Sequence, residues 1–339
     1  MHTGRKILQL GCGSMGSRRV RDLSRRPDVE VRAFDARADR RQSVGERFGV
    51  KTFETMAAAM DWGPDALVIS TPPGTKGPLV DCALERGIHH FVEADIWSYG
   101  VADRVARAPR SVCAPSLTFA FLPVVQALRA LVPPALGPLL GYQFCLAGDM
   151  AGWHPTEGME YYGRHRDTAP GREMVPFELS WLARIFGHAE KVAGGFNRFS
   201  RREGAFEDTW NLLLQLERGG MGQLTVTMGC PHDFRRGCAF GANGSATWDI
   251  NRGEIVLHGA PAGVHQFGEL AQAIEPAYAA EIGAFVDAIH GDAPWPHGYA
   301  DYQRALATLA AAEAGARADR WTPVQSDREP ERVLPRPGP

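Results

Sequence analysis

Short apolar runs alternate with stretches of helical periodicity over the first 118 residues of the chain, as a parallel sheet with crossover helices requires. The predicted strands are residues 6–10, 29–35, 65–71, 89–93 and 111–116. The first predicted helix begins near Ser14, and the others cover residues 38–48, 54–60 and 75–86. This pattern predicts an α/β fold for the N-terminal part.

The middle of the chain is richer in strand patterns. The predicted strands there are residues 139–148, 190–199, 208–216, 222–228 and 244–250 onward. Turn signals at Arg218-Gly-Gly220 and Asn243-Gly244 predict antiparallel hairpins. Two helices, residues 277–290 and 299–314, are expected to close the fold.

A chain of 339 residues exceeds the usual size of one domain, so two domains are expected. We place the first at residues 1–118 and the second at 119–325, followed by a loose Pro- and Arg-rich tail at 326–339. The apolar region 119–144 is interrupted by prolines and Arg129, which predicts a core helix followed by a strand and excludes a membrane helix.

A glycine motif links the first predicted strand to the first predicted helix. Gly11 permits a sharp turn, Gly13 leaves room for phosphates beside the backbone, and Gly16 allows the helix to lie close to the sheet. The helix beginning with Ser14 and Met15 offers N–H groups and its positive dipole end to an anion. Asp35 follows Gly16 by 19 residues, near the roughly 20 expected of an acid that binds the adenosine ribose. The motif predicts a nicotinamide dinucleotide cofactor.

The choice between NAD and NADP depends on the residues around Asp35. A carboxylate there accepts from a 2′-hydroxyl and repels a 2′-phosphate, which favours NAD. Arg37, Arg40 and Arg41 follow closely and are suited to bind that phosphate. NAD is therefore the preferred cofactor, with NADP as the alternative.

Composition narrows the class of protein. The formal net charge of −2 argues against nucleic acid as a partner, and no membrane partner is expected. The cysteines show no CxxC pair, and the segment Cys230-Pro-His232-Asp233 has too few ligands for a metal site. Reduced thiols and the absence of an apolar leader predict a cytoplasmic protein.

The chain resembles the Gfo/Idh/MocA family of sugar and inositol dehydrogenases over residues 5–325. The resemblance is carried by GCGSMG at 11–16, STPP at 70–73, the strand ending at Glu93, the hairpin DTWNLLLQLERGGMGQLTVTM at 208–228 and the two final helices. It implies an N-terminal Rossmann domain and a C-terminal α+β domain with an open, mostly antiparallel sheet that covers the nicotinamide and holds the substrate. It also implies cofactor contacts from Ser70, Thr71, Pro72 and Glu93, and a homodimer or homotetramer formed through that sheet.

Two positions depart from the family pattern. Members usually carry Glu-Lys-Pro where this chain reads Glu93-Ala94-Asp95, so Ala94 takes the place of a lysine that contacts the substrate hydroxyl. The family histidine that acts as general acid or base aligns with Phe177. Because losing one positioned acid–base group typically costs about 10² to 10⁴ in rate, other side chains must move the proton or the reaction differs.

Four residues are candidates for the missing chemistry. Asp95 is interpreted as an acceptor from a substrate hydroxyl or as a helix N-cap. His154 is interpreted as a proton-transfer group or as a loop histidine that caps backbone groups. Tyr161, with Tyr162 beside it, is a candidate phenolic donor or sugar contact, the alternative being one core and one surface residue.

Glu178 is the fourth candidate, on a helix that also carries Glu173, a possible substrate contact. A carboxylate on this apolar helix is either a perturbed acid or substrate clamp, or the partner of an arginine such as Arg164 or Arg172. Spacing places Glu178 and Trp181 at neighbouring positions of the helix surface.

These observations favour an NAD(P)-dependent oxidoreductase acting on a small polyhydroxylated or amino-bearing metabolite with a non-standard proton-transfer set. Two alternatives remain open. One is an enzyme that uses NAD without net redox change, by transient oxidation with elimination or hydrolysis. The other is a non-catalytic NAD-binding subunit or sensor.

Overall fold

The computed structural model describes residues 4–94, 101–106, 111–149, 168–199, 207–259, 261–318 and 322–324. Packing divides the chain into two compact units. The first unit comprises residues 1–121 and 275–300, and the second comprises residues 122–274 and 301–339. The first unit therefore includes a segment that lies far along the chain from the boundary expected at residue 118.

The sheet of the first unit has six parallel strands in the order β3-β2-β1-β4-β5-β6. Its strands are β1 Arg5–Leu10, β2 Val29–Phe34, β3 Lys51–Phe53, β4 Ala66–Ile69, β5 His89–Val92 and β6 Cys113–Pro115. The helices between them are α1 Ser14–Leu23, α2 Ala38–Phe48, α3 Met56–Asp61, α4 Pro73–Arg86 and α5 Val101–Ala106. A short 3-10 helix, Thr118–Phe121, follows β6. The predicted α/β fold is confirmed, and the strands and helices predicted over residues 1–118 lie within about two residues of their observed bounds. Strand β3 and helix α5 were not predicted.

Both faces of this sheet are covered by apolar side chains, as a parallel sheet requires. On one face Ile7, Val68 and Phe91 belong to a core cluster with Phe285 and Ile289. Phe285 and Ile289 come from residues 275–300, the returning segment of the first unit. The ring centroids of Phe91 and Phe285 lie 5.8 Å apart. The returning segment is thus part of the core of the first unit.

Among the described residues, the sheet of the second unit has nine strands in the order β14-β13-β12-β11-β7-β10-β9-β8-β15. Its strands are β7 Leu139–Asp149, β8 Ala189–Asn197, β9 Thr209–Leu216, β10 Met221–Thr227, β11 Gly229–Gly241, β12 Gly244–Asp249, β13 Glu254–Gly259, β14 Gly263–Gln266 and β15 Thr322–Pro323. The structure also describes the helices α6 Pro123–Leu136, α7 Pro170–Phe186, α8 Leu270–His290 and α9 Tyr299–Ala318.

The predicted hairpin β9–β10 is confirmed as an antiparallel pair. The turn predicted at Asn243-Gly244 joins β12 in an antiparallel pair to β11, a strand that the sequence analysis did not predict. One pairing departs from the expectation of neighbouring hairpins, because β10 pairs in parallel with β7. Residues 230–233, the segment that has too few ligands for a metal site, are part of β11. Among the described residues, no helix combines the length and the apolar character needed to cross a membrane.

Helix α7 lies on the sheet of the second unit through aromatic side chains. Trp181 meets Phe144 of β7 edge to face, with ring centroids 5.1 Å apart. Phe186 stacks on Tyr142, with ring centroids 4.6 Å apart. Complete burial of Tyr142 raises the pKa of its phenol well above the ordinary value. These contacts fix α7, and with it Glu178.

A buried ion pair joins α7 to α9. Arg172 Nε and Nη2 lie 2.7 and 2.9 Å from the two carboxylate oxygens of Glu313, and both side chains are almost inaccessible. We expect Arg172→Met to lower the free energy of unfolding by about 3–5 kcal/mol, because Glu313 then stays buried without this guanidinium. The double change to methionine at both positions should recover much of the loss. Chemical denaturation monitored by circular dichroism measures both.

The matched control for this pair is Arg304→Met. Arg304 lies 2.7 Å from Glu217, and about a third of each side chain is exposed. Its loss should change the free energy of unfolding by only about 0–1 kcal/mol. Equal losses for the two single variants would contradict the importance assigned to burial.

Candidate functional site

The glycine motif has the geometry that a dinucleotide needs. Gly11 has a φ of +86°, and a Cβ on it would lie 2.5 Å from the carbonyl oxygen of Ser70. A Cβ on Gly16 would lie 1.8 Å from the carbonyl oxygen of Gly11, so only glycine allows α1 to approach β1 this closely. At Gly13 the nearest atom to such a Cβ is the end of the Arg40 side chain, at 3.3 Å.

Helix α1 begins at the end of this turn. Gly13 is its N-cap, and no side chain in the described ranges caps its first N–H groups. The hydroxyl of Ser14 accepts from Arg18 at 2.6 Å, while Met15 lies in the same first turn. Uncapped N–H groups and the helix dipole favour a bound anion, so this turn fits a pyrophosphate.

Asp35 lies at the end of β2 and is nearly buried. Its two carboxylate oxygens accept from the backbone N–H of Cys12 at 2.7 Å and of Arg37 at 2.9 Å. Burial, together with Asp35, raises the pKa of the Cys12 thiol to about 12, so Cys12 stays protonated beside the carboxylate. The backbone N–H groups of Cys12, in the glycine turn, and of Arg37 therefore hold the Asp35 carboxylate in position.

The three arginines proposed for NADP have different surroundings. The guanidinium of Arg37 lies against Asp39, at 3.1 and 2.6 Å. Arg41 donates to the carbonyl oxygens of Asp35 at 2.7 Å and Ala36 at 3.1 Å. Only Arg40 extends over Gly13, as the 3.3 Å separation above shows. Of the three, Arg40 is thus the one that reaches the glycine turn.

Ser70, Thr71 and Pro72 connect β4 to α4 at the carboxyl edge of the sheet, where α/β folds bind ligands. Ser70 donates its backbone N–H to Leu10 at 2.8 Å and its hydroxyl to Glu93 at 3.2 Å. The hydroxyl oxygen of Thr71 is buried and has no hydrogen-bond partner among the described residues. A buried hydroxyl of this kind fits the wall of a site that a ligand completes.

Lys76 lies at the candidate site and was missed by sequence reasoning. It lies on α4, and its ammonium donates to the carbonyl oxygens of Glu93 at 3.0 Å and Ala94 at 3.1 Å. It is almost fully buried. The signal available in the sequence was its position a few residues after STPP, which places it near the carboxyl edge of β4.

Three of the predicted catalytic residues, Asp95, His154 and Tyr161, lie outside the described residues, as do Tyr162 and Arg164. Their roles stay predictions. Within the described ranges, no group of three or more His, Cys, Asp or Glu side chains is arranged to hold a metal ion.

Glu178 is completely buried inside the second unit. One carboxylate oxygen accepts from Trp181 Nε1 at 2.5 Å, as their spacing along the helix suggested, and the other accepts from Arg235 Nε at 3.1 Å. Burial raises the pKa of Glu178, and the Arg235 guanidinium and the indole N–H oppose that rise.

Glu178 does pair with an arginine, as one interpretation expected, but the partner is not Arg172. Arg172 pairs with Glu313, and Arg235 of β11 takes the place beside Glu178. Glu173 lies half-buried in the first turn of α7. Phe177, which aligns with the family histidine, directly precedes Glu178. Because Glu178 is fully held by protein groups, its observed contacts fit an anchor of α7 on β11.

Residues 5–108 match the family model GFO_IDH_MocA, described as "Oxidoreductase family, NAD-binding Rossmann fold". A search of curated proteins found no match. The match confirms the family resemblance over residues 5–108 and the expectation of an NAD-binding Rossmann fold there.

Solved structures share the fold over nearly the whole chain. GenD2 from gentamicin A biosynthesis, in complex with NAD, has a TM-score of 0.80 and 20% identity, covering 96% of this chain and 98% of that one. An oxidoreductase from Agrobacterium radiobacter with NAD+, L-tartaric acid and magnesium has a TM-score of 0.81 and 16% identity, covering 95% and 99%. Levoglucosan dehydrogenase with NADH and levoglucosan has a TM-score of 0.82 and 14% identity, covering 95% and 100%.

The position of Asp35 leads to a prediction about cofactor choice. We expect Asp35→Asn to shift the ratio of the dissociation constants for NADP and NAD toward NADP by about tenfold or more, since a charge-assisted hydrogen bond to the ribose and a repulsion of the phosphate are both lost. Calorimetric titration with each dinucleotide measures the ratio. The control is Asp39→Asn, an exposed aspartate paired with Arg37; a ratio that moves equally in both variants would contradict the role of Asp35.

Proposed function

We propose, from the premise that residues 5–108 belong to the Gfo/Idh/MocA oxidoreductase family, that this chain transfers hydride between NAD and a small polyhydroxylated or amino-bearing metabolite. The class includes sugars, cyclitols, amino sugars and imines. The single observation that carries the proposal is the dinucleotide cradle, in which the turn at Gly11–Gly16, the uncapped start of α1 and Asp35 fit one cofactor.

The residues around this cradle bind and orient the cofactor. The N–H groups of α1 suit the pyrophosphate, and Asp35 suits the adenosine ribose. Thr71 and Glu93 lie along the same edge of the sheet. When bound, the nicotinamide supplies the hydride chemistry, which no amino-acid side chain can provide.

The substrate class is supported by two of the similar structures, which are complexes with NADH and levoglucosan or with NAD+, L-tartaric acid and magnesium. Both compounds are small and carry hydroxyl groups, and hydroxyl oxidation releases a hydride and a proton. NAD accepts such a hydride, so a hydroxyl-bearing substrate is consistent with a chain whose N-terminal part has an NAD-binding fold.

The proton-transfer set is the part of the proposal that departs from the family. Ala94 replaces the family lysine, but Lys76 brings an ammonium to the main chain of Glu93 and Ala94 from a different element. We assign to Lys76 the contact with the reacting oxygen, because an ammonium stabilises the negative charge that develops there. Asp95, His154 and Tyr161 remain the proposed groups that accept or deliver the proton.

The proposed function is tested with purified protein, NAD or NADP, and a panel of polyols, sugars, amino sugars and imines. We expect substrate-dependent formation or loss of NADH absorbance. Gly16→Ala is the control without a cofactor cradle, since its Cβ would overlap the carbonyl oxygen of Gly11. Product formed without accumulation of NADH would favour the enzyme without net redox change. Tight NAD binding with no product from any compound would favour a sensor.

Lys76→Met should lower kcat/KM by about 10² or more, because the ammonium is lost from the reacting oxygen. The dissociation constant for NAD should change less than about threefold, a difference of well under 1 kcal/mol. The double variant Lys76→Met with Ala94→Lys should recover part of the activity by restoring a lysine at the family position. The control is Lys51→Met, at an exposed position of β3; wild-type activity of Lys76→Met would overturn the assignment.

We also propose a homodimer or homotetramer that forms through the sheet of the second unit. Leu213, Met221 and Phe240 lie on one face of β9, β10 and β11, and each side chain is more than 40% exposed. Apolar side chains grouped on an open sheet face are typical of a protein interface. Light scattering should give the mass of two or four chains; the mass of a single chain at micromolar concentration would contradict this proposal.

We also propose that the protein is located in the cytoplasm. All six cysteines are free thiols, as is usual in a reducing compartment.

A further inference from the structure

Helix α1 places a guanidinium in the interior of the first unit. Arg19 follows Gly16 by one turn, and its side chain is completely inaccessible. Its Nη1 donates to the carbonyl oxygen of Tyr278 at 3.0 Å, and its Cζ lies 4.7 Å from the centre of the Phe91 ring. A buried arginine requires charged partners, since an unpaired charge is costly in the interior.

Arg19 has two such partners. Its Nε and Nη2 lie 2.7 and 3.1 Å from the two carboxylate oxygens of Glu93, a bidentate pair. Its Nη2 also lies 2.6 Å from Glu281 on α8. One guanidinium therefore joins the helix of the glycine turn, the end of β5 and the returning segment.

Glu281 fixes the position of Arg19. It is completely buried and accepts from the Ser116 hydroxyl at 2.9 Å, the Leu117 N–H at 2.6 Å and the Thr118 hydroxyl at 2.7 Å. Burial raises the pKa of Glu281, and the neighbouring Arg19 opposes that rise. With four donors around it, Glu281 is a satisfied anchor that does not need a ligand.

Glu93 is different, because it lies directly after β5 at the carboxyl edge of the sheet. An ionised carboxylate offers about four acceptor positions. In the described structure Arg19 uses two of them and the Ser70 hydroxyl uses one, at 3.2 Å. Its side chain is 12% exposed, whereas those of Arg19 and Glu281 are not exposed at all.

We propose that Arg19 is a positioning residue for the cofactor, which holds the carboxylate of Glu93 as a fixed acceptor for a hydroxyl of the bound dinucleotide. The inference rests on the proposed function only in requiring that the first unit binds NAD. A bidentate guanidinium fixes both oxygens of a carboxylate, whereas a lysine ammonium acts as a point charge. The affinity for NAD therefore depends on an arginine that is buried one layer behind the acceptor.

The alternative is that Arg19 only ties the returning segment to the first unit. Arg26 provides a matched control for that role. It lies 2.7 Å from Asp28 and 2.9 Å from Asp287, and it also reaches the carbonyl oxygen of Gly283. Arg26 thus joins the same two stretches of chain without contacting Glu93.

The test measures the dissociation constants for NAD and NADH by calorimetry, together with the melting temperature of each variant. We expect Arg19→Lys and Glu93→Gln each to raise the dissociation constant about tenfold, corresponding to about 1.4 kcal/mol. The double variant should be weaker than the weaker single variant by no more than about twofold, because both changes remove the same acceptor geometry. Arg26→Met should lower the melting temperature and leave both dissociation constants within about twofold of the wild type.

Arg19→Met extends the series if it folds, and the lysine and glutamine variants are sufficient if it does not. Lower melting with wild-type affinity in Arg19→Lys would overturn the inference and leave a purely structural role. Additive losses in the double variant would also overturn it, since the two residues would then act separately. Wild-type protein that binds neither NAD nor NADP would instead remove the proposed function itself.

Discussion

The close approach of α1 to β1 is the constraint on which the first unit depends. It exists because Gly16 has no Cβ, which would otherwise lie 1.8 Å from the carbonyl oxygen of Gly11. The same approach directs the N–H groups of α1 at the turn and carries Arg19 into the interior. Cofactor recognition and the buried charge cluster are therefore two results of one steric condition.

Glu178 on α7 and Glu93 directly after β5 show that burial alone does not identify a functional acid. Glu178 is enclosed by Trp181 and Arg235, so its oxygens are committed to the protein. Glu93 is bound just as firmly by Arg19, yet it lies at a ligand-binding edge and keeps a small exposed surface. Glu93 is therefore a candidate site residue because of its position at the edge of the sheet and not because of its charge.

The sequence predicted most of the first unit, because glycine spacing, apolar periodicity and Asp35 are local signals. It failed where the partner is distant along the chain. Glu281 is 262 residues from Arg19, and Arg235 is 57 residues from Glu178. Strand β10 pairs in parallel with β7, although α7, β8 and β9 lie between them in the described part of the chain. Lys76 was missed for a related reason, since its ammonium reaches the position after β5 from α4. Such pairings are set by tertiary packing and leave no periodic trace.

The returning segment 275–300 has a consequence for modularity. Four residues of α8 complete an apolar layer whose other buried members lie between Ile7 and Ala114; the four are Ile282, Phe285, Val286 and Ile289. Glu281 neutralises a charge contributed by α1. A gene fragment ending after Phe121 would therefore encode a sheet lacking part of its covering and a guanidinium lacking one counterion. Recombination between relatives would have to exchange two separate stretches of coding sequence together, so the nucleotide-binding half is inherited as a discontinuous unit.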